Sequence, residues 1–152
     1  MEDVKRIMVL SRSTRDCRRA VRYGLRMTKM LGAELLVTYI DDDALARVGG
    51  DIANRSAEQK EEAQELHQQI RSELDALIEL EQKNGTAIEV GEEIVEGSLF
   101  KETMRLVDEK GIDLLLMMAH PEGRIERHLF DHDHEKLIHA LPCSIFLVKE
   151  SD

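Results

Sequence analysis

Five of the six histidines fall between His120 and His139, and the densest part, His128-Leu129-Phe130-Asp131-His132-Asp133-His134, interleaves imidazole with carboxylate. Such a set can hold a divalent metal, with His128 and His132 one turn apart if the stretch is helical. The preferred reading is plainer: Asp131 or Asp133 caps the following helix and the histidines face solvent, because a short His-rich tract is only compositional evidence. Arg15, Arg18, Arg19, Arg22, Arg26 and Lys29 recur at helical spacing. A run of this kind is read first as a solvated helix face, and second as a docking surface for an acidic partner, including the acidic long helix of another molecule. Nucleophilic chemistry has little support. Ser98 and Ser144 stand at the expected start of a helix and of a strand, outside a nucleophile-elbow context, and no Cys, His and carboxylate can be assigned mutual geometry. The chain is read as non-catalytic, with no cofactor.

The elements that must position these residues follow from apolar periodicity and its punctuation. Lys5 to Leu10 reads as a strand and Ser11-Arg12-Ser13-Thr14 as the turn leaving it. Ser13 with Asp16 resembles a capping box, so a first helix is expected from there to Leu31, ended by Gly32. Its expected core stripe is Cys17, Ala20, Val21, Gly24, Met27 or Thr28, and Leu31. Glu34 to Ile40 is the second strand, ending at Asp41-Asp42-Asp43, and residues 41–56 have no assignment. From Ala57 to Lys83 the residues Ala63, Leu66, Ile70, Leu74, Leu77 and Ile78 keep three-and-four spacing, which predicts a long amphipathic helix ended by Asn84-Gly85. Thr86 to Val95 is a third strand with a kink or bulge at Gly91. Gly97-Ser98 starts a helix from Leu99 to Lys110 that Gly111 ends. Leu114 to Met118 is a fourth strand; a polar loop to Phe130, a helix from His134 to Leu141 and a fifth strand, Ser144 to Val148, follow.

Five strands alternating with four helices predict an α/β three-layer sandwich around a mostly parallel sheet, because parallel strands need crossover helices. In such a fold a ligand binds where a loop leaves the carboxyl end of a strand, so the loop after Met118 is the place to look.

At 152 residues the chain suits one domain, residues 1–152. The formal net charge of −10 opposes general affinity for nucleic acid or an anionic membrane surface. The charge is uneven: residues 1–34 hold nine Lys and Arg against four Asp and Glu, and the remainder twelve against twenty-seven. Cys17 and Cys143 are far apart in sequence and read as small buried apolar residues rather than a disulfide or ligand pair. No apolar run reaches the roughly 18 residues of a spanning helix, and Met1 to Lys5 begins no signal peptide, so a cytoplasmic protein is expected.

Several of these features together resemble the universal stress protein family over essentially the whole chain. They are the order of elements, Gly32-Ala33-Glu34-Leu35 before strand two, Gly97-Ser98 at helix three, Ile112-Asp113 before an apolar strand, Glu135-Lys136-Leu137, and Leu141-Pro142-Cys143-Ser144-Ile145-Phe146-Leu147-Val148. The resemblance implies a Rossmann-like fold with its crevice between strands one and four. Nucleotide-binding members carry G-x2-G-x9-G-[ST] after strand four, and that spacing falls here on Met118, Pro121, Asp131 and His132, none of which matches. Pro121 has no N–H to offer a phosphate, Met118 adds a side chain where bare backbone is wanted, and Asp131 adds like charge. Gly123 is one residue in the loop and out of register. The family's aspartate at the adenine end of the pocket corresponds to Arg12.

The implied member therefore belongs to the branch without the ATP-binding glycine motif. Its crevice would be lined by Leu10, Ser11, Arg12, Met118, His120, Pro121, Arg124, Asp131 and His132. The expected function is a non-catalytic regulatory role in stress response, exercised through a homodimer and a protein partner. The alternative is a sensor of a small nucleotide or anion in a rearranged crevice, using Arg12, His120 or Arg124. In the family the last strand commonly pairs with its copy, which implies a dimer edge at Ile145, Phe146, Leu147 and Val148, with Lys149-Glu150 at its rim.

Overall fold

Four consecutive apolar residues, Ile7 to Leu10, form the middle of strand β1 (Arg6–Ser11), and none of them is more than 4% exposed. A strand apolar on both faces needs cover on both faces, which is the signature of a parallel sheet between helical layers. The computed structural model describes residues 3–13, 17–44, 53–83, 87–119 and 135–149. Within them the chain runs β1, helix α1 (Arg18–Leu31), β2 (Glu34–Asp41), α2 (Ala57–Gln82), β3 (Val90–Glu96), α3 (Leu99–Lys110), β4 (Leu114–Ala119), a short helix α4 over 135–140, and β5 (Ser144–Lys149). The five strands form one sheet in the order β3-β2-β1-β4-β5, and every neighbouring pair is parallel. This is the expected three-layer α/β sandwich.

Strand alternation divides the core in two. Ile7, Val9, Leu35, Val37, Leu114 and Leu116 face α1 and α2, where they meet Val21, Leu25, Ile70 and Leu74. Met8, Leu10, Ile40, Leu115 and Met117 face the other way, against Leu99, Leu106, Val107 and Leu137. The chain steps from β1 outward to β2 and β3, then returns to place β4 on the other side of β1. The reversal leaves the carboxyl ends of β1 and β4 side by side, which is where this class of sheet forms its crevice.

At the opposite edge the Asp113 side chain accepts from the backbone N–H groups of Lys5 and Arg6 at 2.8 and 3.0 Å, and the Asp113 N–H donates to the Arg6 carbonyl at 2.9 Å. Those backbone bonds hold its carboxyl below the ordinary range. They also set β1 against β4, with Ile7 opposite Leu114.

Local chemistry explains most helix ends. Gly32 and Gly111 close α1 and α3 with φ of 65° and 62°, a conformation that other residues rarely adopt. Ser98 caps α3 by accepting from the Lys101 N–H. Ser56 and Gln59 form a reciprocal capping box on α2, with bonds of 3.1 and 2.7 Å. At Gly24 a Cβ would lie 3.0 Å from Val9 and 3.1 Å from Leu35, so the missing side chain lets α1 settle directly on the sheet.

Four expectations need correction. The N-cap of α1 is Cys17, without a side-chain cap bond, and not Ser13; Cys17 is itself buried in the core, so packing sets the start of this helix. Leu31 is 40% exposed, and Leu25 takes the buried position instead. Gly91 makes no bulge: the β2–β3 register is unbroken from Leu35 opposite Val90 to Asp41 opposite Glu96, and Gly91 accommodates the Leu36 side chain, which a Cβ would meet at 3.2 Å. That strand also begins at Val90, later than Thr86. Asn84, Gly85, Asp16 and the start of the fourth helix at His134 lie outside the described residues, and α2 ends at Gln82. The two cysteines are free; Cys17 is buried as expected, whereas Cys143 is only half-buried. Among the described residues no helix is long and apolar enough to cross a membrane.

One carboxyl in the α2–β3 contact is out of its ordinary state. Burial, then the neighbouring Asp75 carboxylate, push the pKa of Glu92 up to about 7, against the opposing pull of Arg71 at 3.3 Å. A folded chain that holds this proton more tightly than the unfolded chain draws stability from it below the ordinary value of 4.5, and loses it as pH rises through about 7. Glu92→Gln should therefore raise the urea midpoint above wild type at pH 8 and lose that advantage near pH 4.5. Paired urea titrations at the two pH values check this, and a ranking independent of pH would contradict it.

Candidate functional site

At the carboxyl edge of the sheet, β1 ends at Ser11 with Arg12 next, β2 at Asp41 with Asp42 next, and β3 at Glu96. Two of the expected crevice residues are structural. Leu10 packs toward α3 and Met118 toward α1, both buried in the core. Ser11 is also buried, and its hydroxyl donates to the Thr38 carbonyl at 2.5 Å while the Thr38 hydroxyl donates to the Val9 carbonyl at 2.8 Å. These bonds lace β1 to β2. Arg12 is different. Its guanidinium forms an ion pair with the Asp42 carboxylate, and both side chains are mostly buried, so the pair spans the gap where β1 and β2 leave the sheet. His120, Pro121, Arg124, Asp131 and His132 lie outside the described residues, as does the tract from His128 to His134. The remaining member of the histidine group, His139, is exposed on α4.

The structure also assembles polar residues that sequence reasoning passed over. Asp41 and Glu96 are register partners on β2 and β3. His67 of α2 reaches down to them, with its Nε2 3.3 Å from Asp41 Oδ2, and Arg55 Nη1 donates to Glu96 Oε2 at 2.7 Å. The Gly97 N–H donates to the Asp41 carbonyl at 3.1 Å and ties the two strand ends together. A signal for this cluster existed. His67 stands among Ala63, Leu66, Ile70 and Leu74, the apolar stripe of α2, where an ionisable residue must find a buried partner.

The basic helix face is partly committed within the chain. Arg18 and Arg22 converge on Glu81 of α2 at 2.7 and 2.8 Å, and Glu81 is only 8% exposed. Their hydrogen bonds, Arg22 foremost, hold its pKa down. Arg19 donates to the Lys149 carbonyl at 2.7 Å, and Arg15 lies outside the described residues. The acidic long helix met by this face is therefore, for Arg18 and Arg22, the chain's own. Ser98 is engaged as a helix cap, and Ser144 lies exposed at the start of β5, at the sheet edge opposite the crevice.

A parallel sheet that reverses its winding beside β1, with helices on both faces, makes this a Rossmann-like three-layer α/β domain. The chain belongs to the universal stress protein family, whose profile matches residues 3–149. No curated protein matches the sequence. Among solved structures, a universal stress protein UspA from Lactobacillus plantarum is 17% identical over 97% of this chain and 99% of its own, with a TM-score of 0.68. A universal stress protein in complex with cAMP is 16% identical over 99% of this chain and 100% of its own, with a TM-score of 0.63. One from Archaeoglobus fulgidus in complex with dAMP is 14% identical over 98% and 100%, with a TM-score of 0.59. At these identities the likeness concerns the fold.

Because the Arg12–Asp42 pair is mostly shielded from water, removing one partner weakens the compensation of the other. Arg12→Met and Asp42→Asn should each cost about 1–3 kcal/mol of unfolding free energy. The double variant should cost less than the sum, since the interaction between the two groups is lost only once. A urea double-mutant cycle checks this, and simple additivity would mean that the two groups are independent.

Proposed function

We propose that this chain is a non-catalytic regulatory member of its family that does not take ATP into the crevice in the family's manner and acts as a homodimer through a protein partner. The observation that carries the reading is Arg12. It stands where the family's aspartate would meet an adenine, and it is ion-paired with Asp42 across the ends of β1 and β2. A nucleobase at this place would have to break a mostly buried ion pair. The sequence at the end of β4 and after it supports the same conclusion, since Met118, Pro121 and Asp131 occupy positions at which phosphate-binding members present bare backbone N–H groups.

Two solved relatives hold cAMP and dAMP, and this favours keeping a second reading: a small nucleotide or anion held in a rearranged crevice, with Arg12 turned toward it. Isothermal titration distinguishes the two. The regulatory reading expects no stoichiometric heat with ATP and magnesium, cAMP or dAMP at millimolar ligand. Binding at micromolar ATP, lost in Arg12→Met, would overturn it in favour of the sensor.

The dimer proposal rests on the sheet's edges. β5 is an outer strand, and Phe146 and Leu147 remain 38% and 45% exposed, an arrangement that leaves apolar surface and unpaired backbone groups for a second copy. Of the other two residues in the expected edge, Val148 is buried in the core and Ile145 packs beside it on the opposite face, so they support the strand from within. Light scattering at micromolar concentration should give twice the chain's mass, and Leu147→Glu should give the mass of a single chain. A wild-type monomer rejects the proposal.

A further inference from the structure

We propose that Asp41, His67 and Glu96 form a binding site for a divalent first-row transition ion of the zinc class, at the carboxyl ends of β2 and β3. The inference is independent of whether the neighbouring crevice takes a nucleotide.

The donors have the required chemistry and placement. One imidazole nitrogen and one oxygen from each carboxylate all lie within 4.8 Å of one another. Tetrahedral zinc with bonds of about 2.0–2.2 Å wants its ligand atoms roughly 3.4 Å apart, so the set must contract only modestly. His67 Nε2 and Asp41 Oδ2 are already at 3.3 Å. A mixed nitrogen and oxygen set selects zinc, manganese or iron over calcium or magnesium, which favour oxygen alone.

Their scaffold is rigid. Asp41 is 5% exposed, and its carbonyl is fixed by the Gly97 N–H. Asp41 and Glu96 are opposite each other in the β2–β3 ladder, and both side chains fall on the face covered by α2. Two carboxylates opposite each other on adjacent strands repel, and a mostly dry position amplifies the cost, part of which Arg55 offsets at Glu96. α2 brings the imidazole from above, so three elements converge on one point. A cavity of about 110 Å³ adjoins it, lined by Arg55, Glu62, Ala63, Leu66 and Glu96, with room for a water as a further ligand.

Arg55 sets the terms of binding. Its guanidinium already sits on Glu96 Oε2 at 2.7 Å, so an incoming ion competes with it for that carboxylate. Arg55 is therefore a built-in competitor, and shortening it should tighten the site. A merely structural salt-bridge cluster predicts nothing of the kind.

The test uses the full chain without an affinity tag, titrated with Zn²⁺ by calorimetry and with Co²⁺ by visible absorption. The wild-type protein should bind one ion at this site and unfold at a higher temperature when it is present. His67→Ala or His67→Gln should weaken that binding at least tenfold, Glu96→Gln should do the same, and Arg55→Gln should strengthen it severalfold. Should an alanine variant fail to fold, His67→Gln and Glu96→Gln keep the polar packing and carry the comparison. The proposal is overturned if Zn²⁺ does not bind, if binding survives the changes at His67 and Glu96, or if it is lost only when His128 and His132 are replaced.

Discussion

β1 is hydrogen-bonded to β2 on one side and β4 on the other, and it is buried beneath helices on both faces. That double burial is the constraint from which the rest follows. A strand with no solvent face accepts polar residues only at its ends, so Arg6 falls at the amino edge and Ser11, followed by Arg12, at the carboxyl edge. The Asp113 side chain fixes the other end of β1 by taking the N–H groups of Lys5 and Arg6. With one end pinned and the middle packed, the register carries Arg12 to the top of the sheet with little freedom. What chemistry occurs there is then decided by one or two side chains.

The electrostatics of the sheet are asymmetric. On β3, the outer strand at one side, Glu92, Glu93 and Glu96 are each held by a cation from another part of the chain, Arg71, Lys110 and Arg55. Glu92 and Glu96 point inward beneath α2, and inward-pointing charge on an edge strand discourages pairing with another chain. β5, the outer strand at the other side, carries Ile145, Phe146 and Leu147 and lacks such protection. The packing of Tyr23 against Phe146, ring centroids 5.6 Å apart, covers this edge only in part. The two edges of the sheet thus differ, one guarded by inward charge and the other apolar and partly exposed.

Sequence periodicity conveyed the architecture because each helix and strand of this fold is amphipathic or fully apolar over a length that exceeds its irregularities. Gly32, Ser98 and Gly111 act through their own backbone neighbourhood, so their roles were legible residue by residue. Gly91 was not. Its reason for being glycine is Leu36 on the adjacent strand, a neighbour 55 positions away in the chain, and a local reading turned that contact into a bulge. The start of α1 failed for a related reason: burial of Cys17 outweighed the capping signal at Ser13. The Asp41, His67 and Glu96 cluster was the hardest to foresee, because strand register creates it, and register appears only once β2 and β3 are laid side by side. His67 interrupting the apolar stripe of α2 was its one local trace.

Backbone and crevice obey separate rules here. The solved relatives differ from this chain at more than four residues in five, yet the fold persists because it needs only apolar volume at the right period. The crevice tolerates no such averaging. At its mouth a guanidinium cannot do the work of a carboxylate: it reverses the charge, replaces acceptors with donors, and reaches far enough to find Asp42. A change that would be neutral on the outer face of α2 instead builds a mostly buried ion pair here while leaving the sheet beneath it intact. Family membership thus fixes how the strands run and leaves the ligand open, and Arg12 is the residue at which the two questions part.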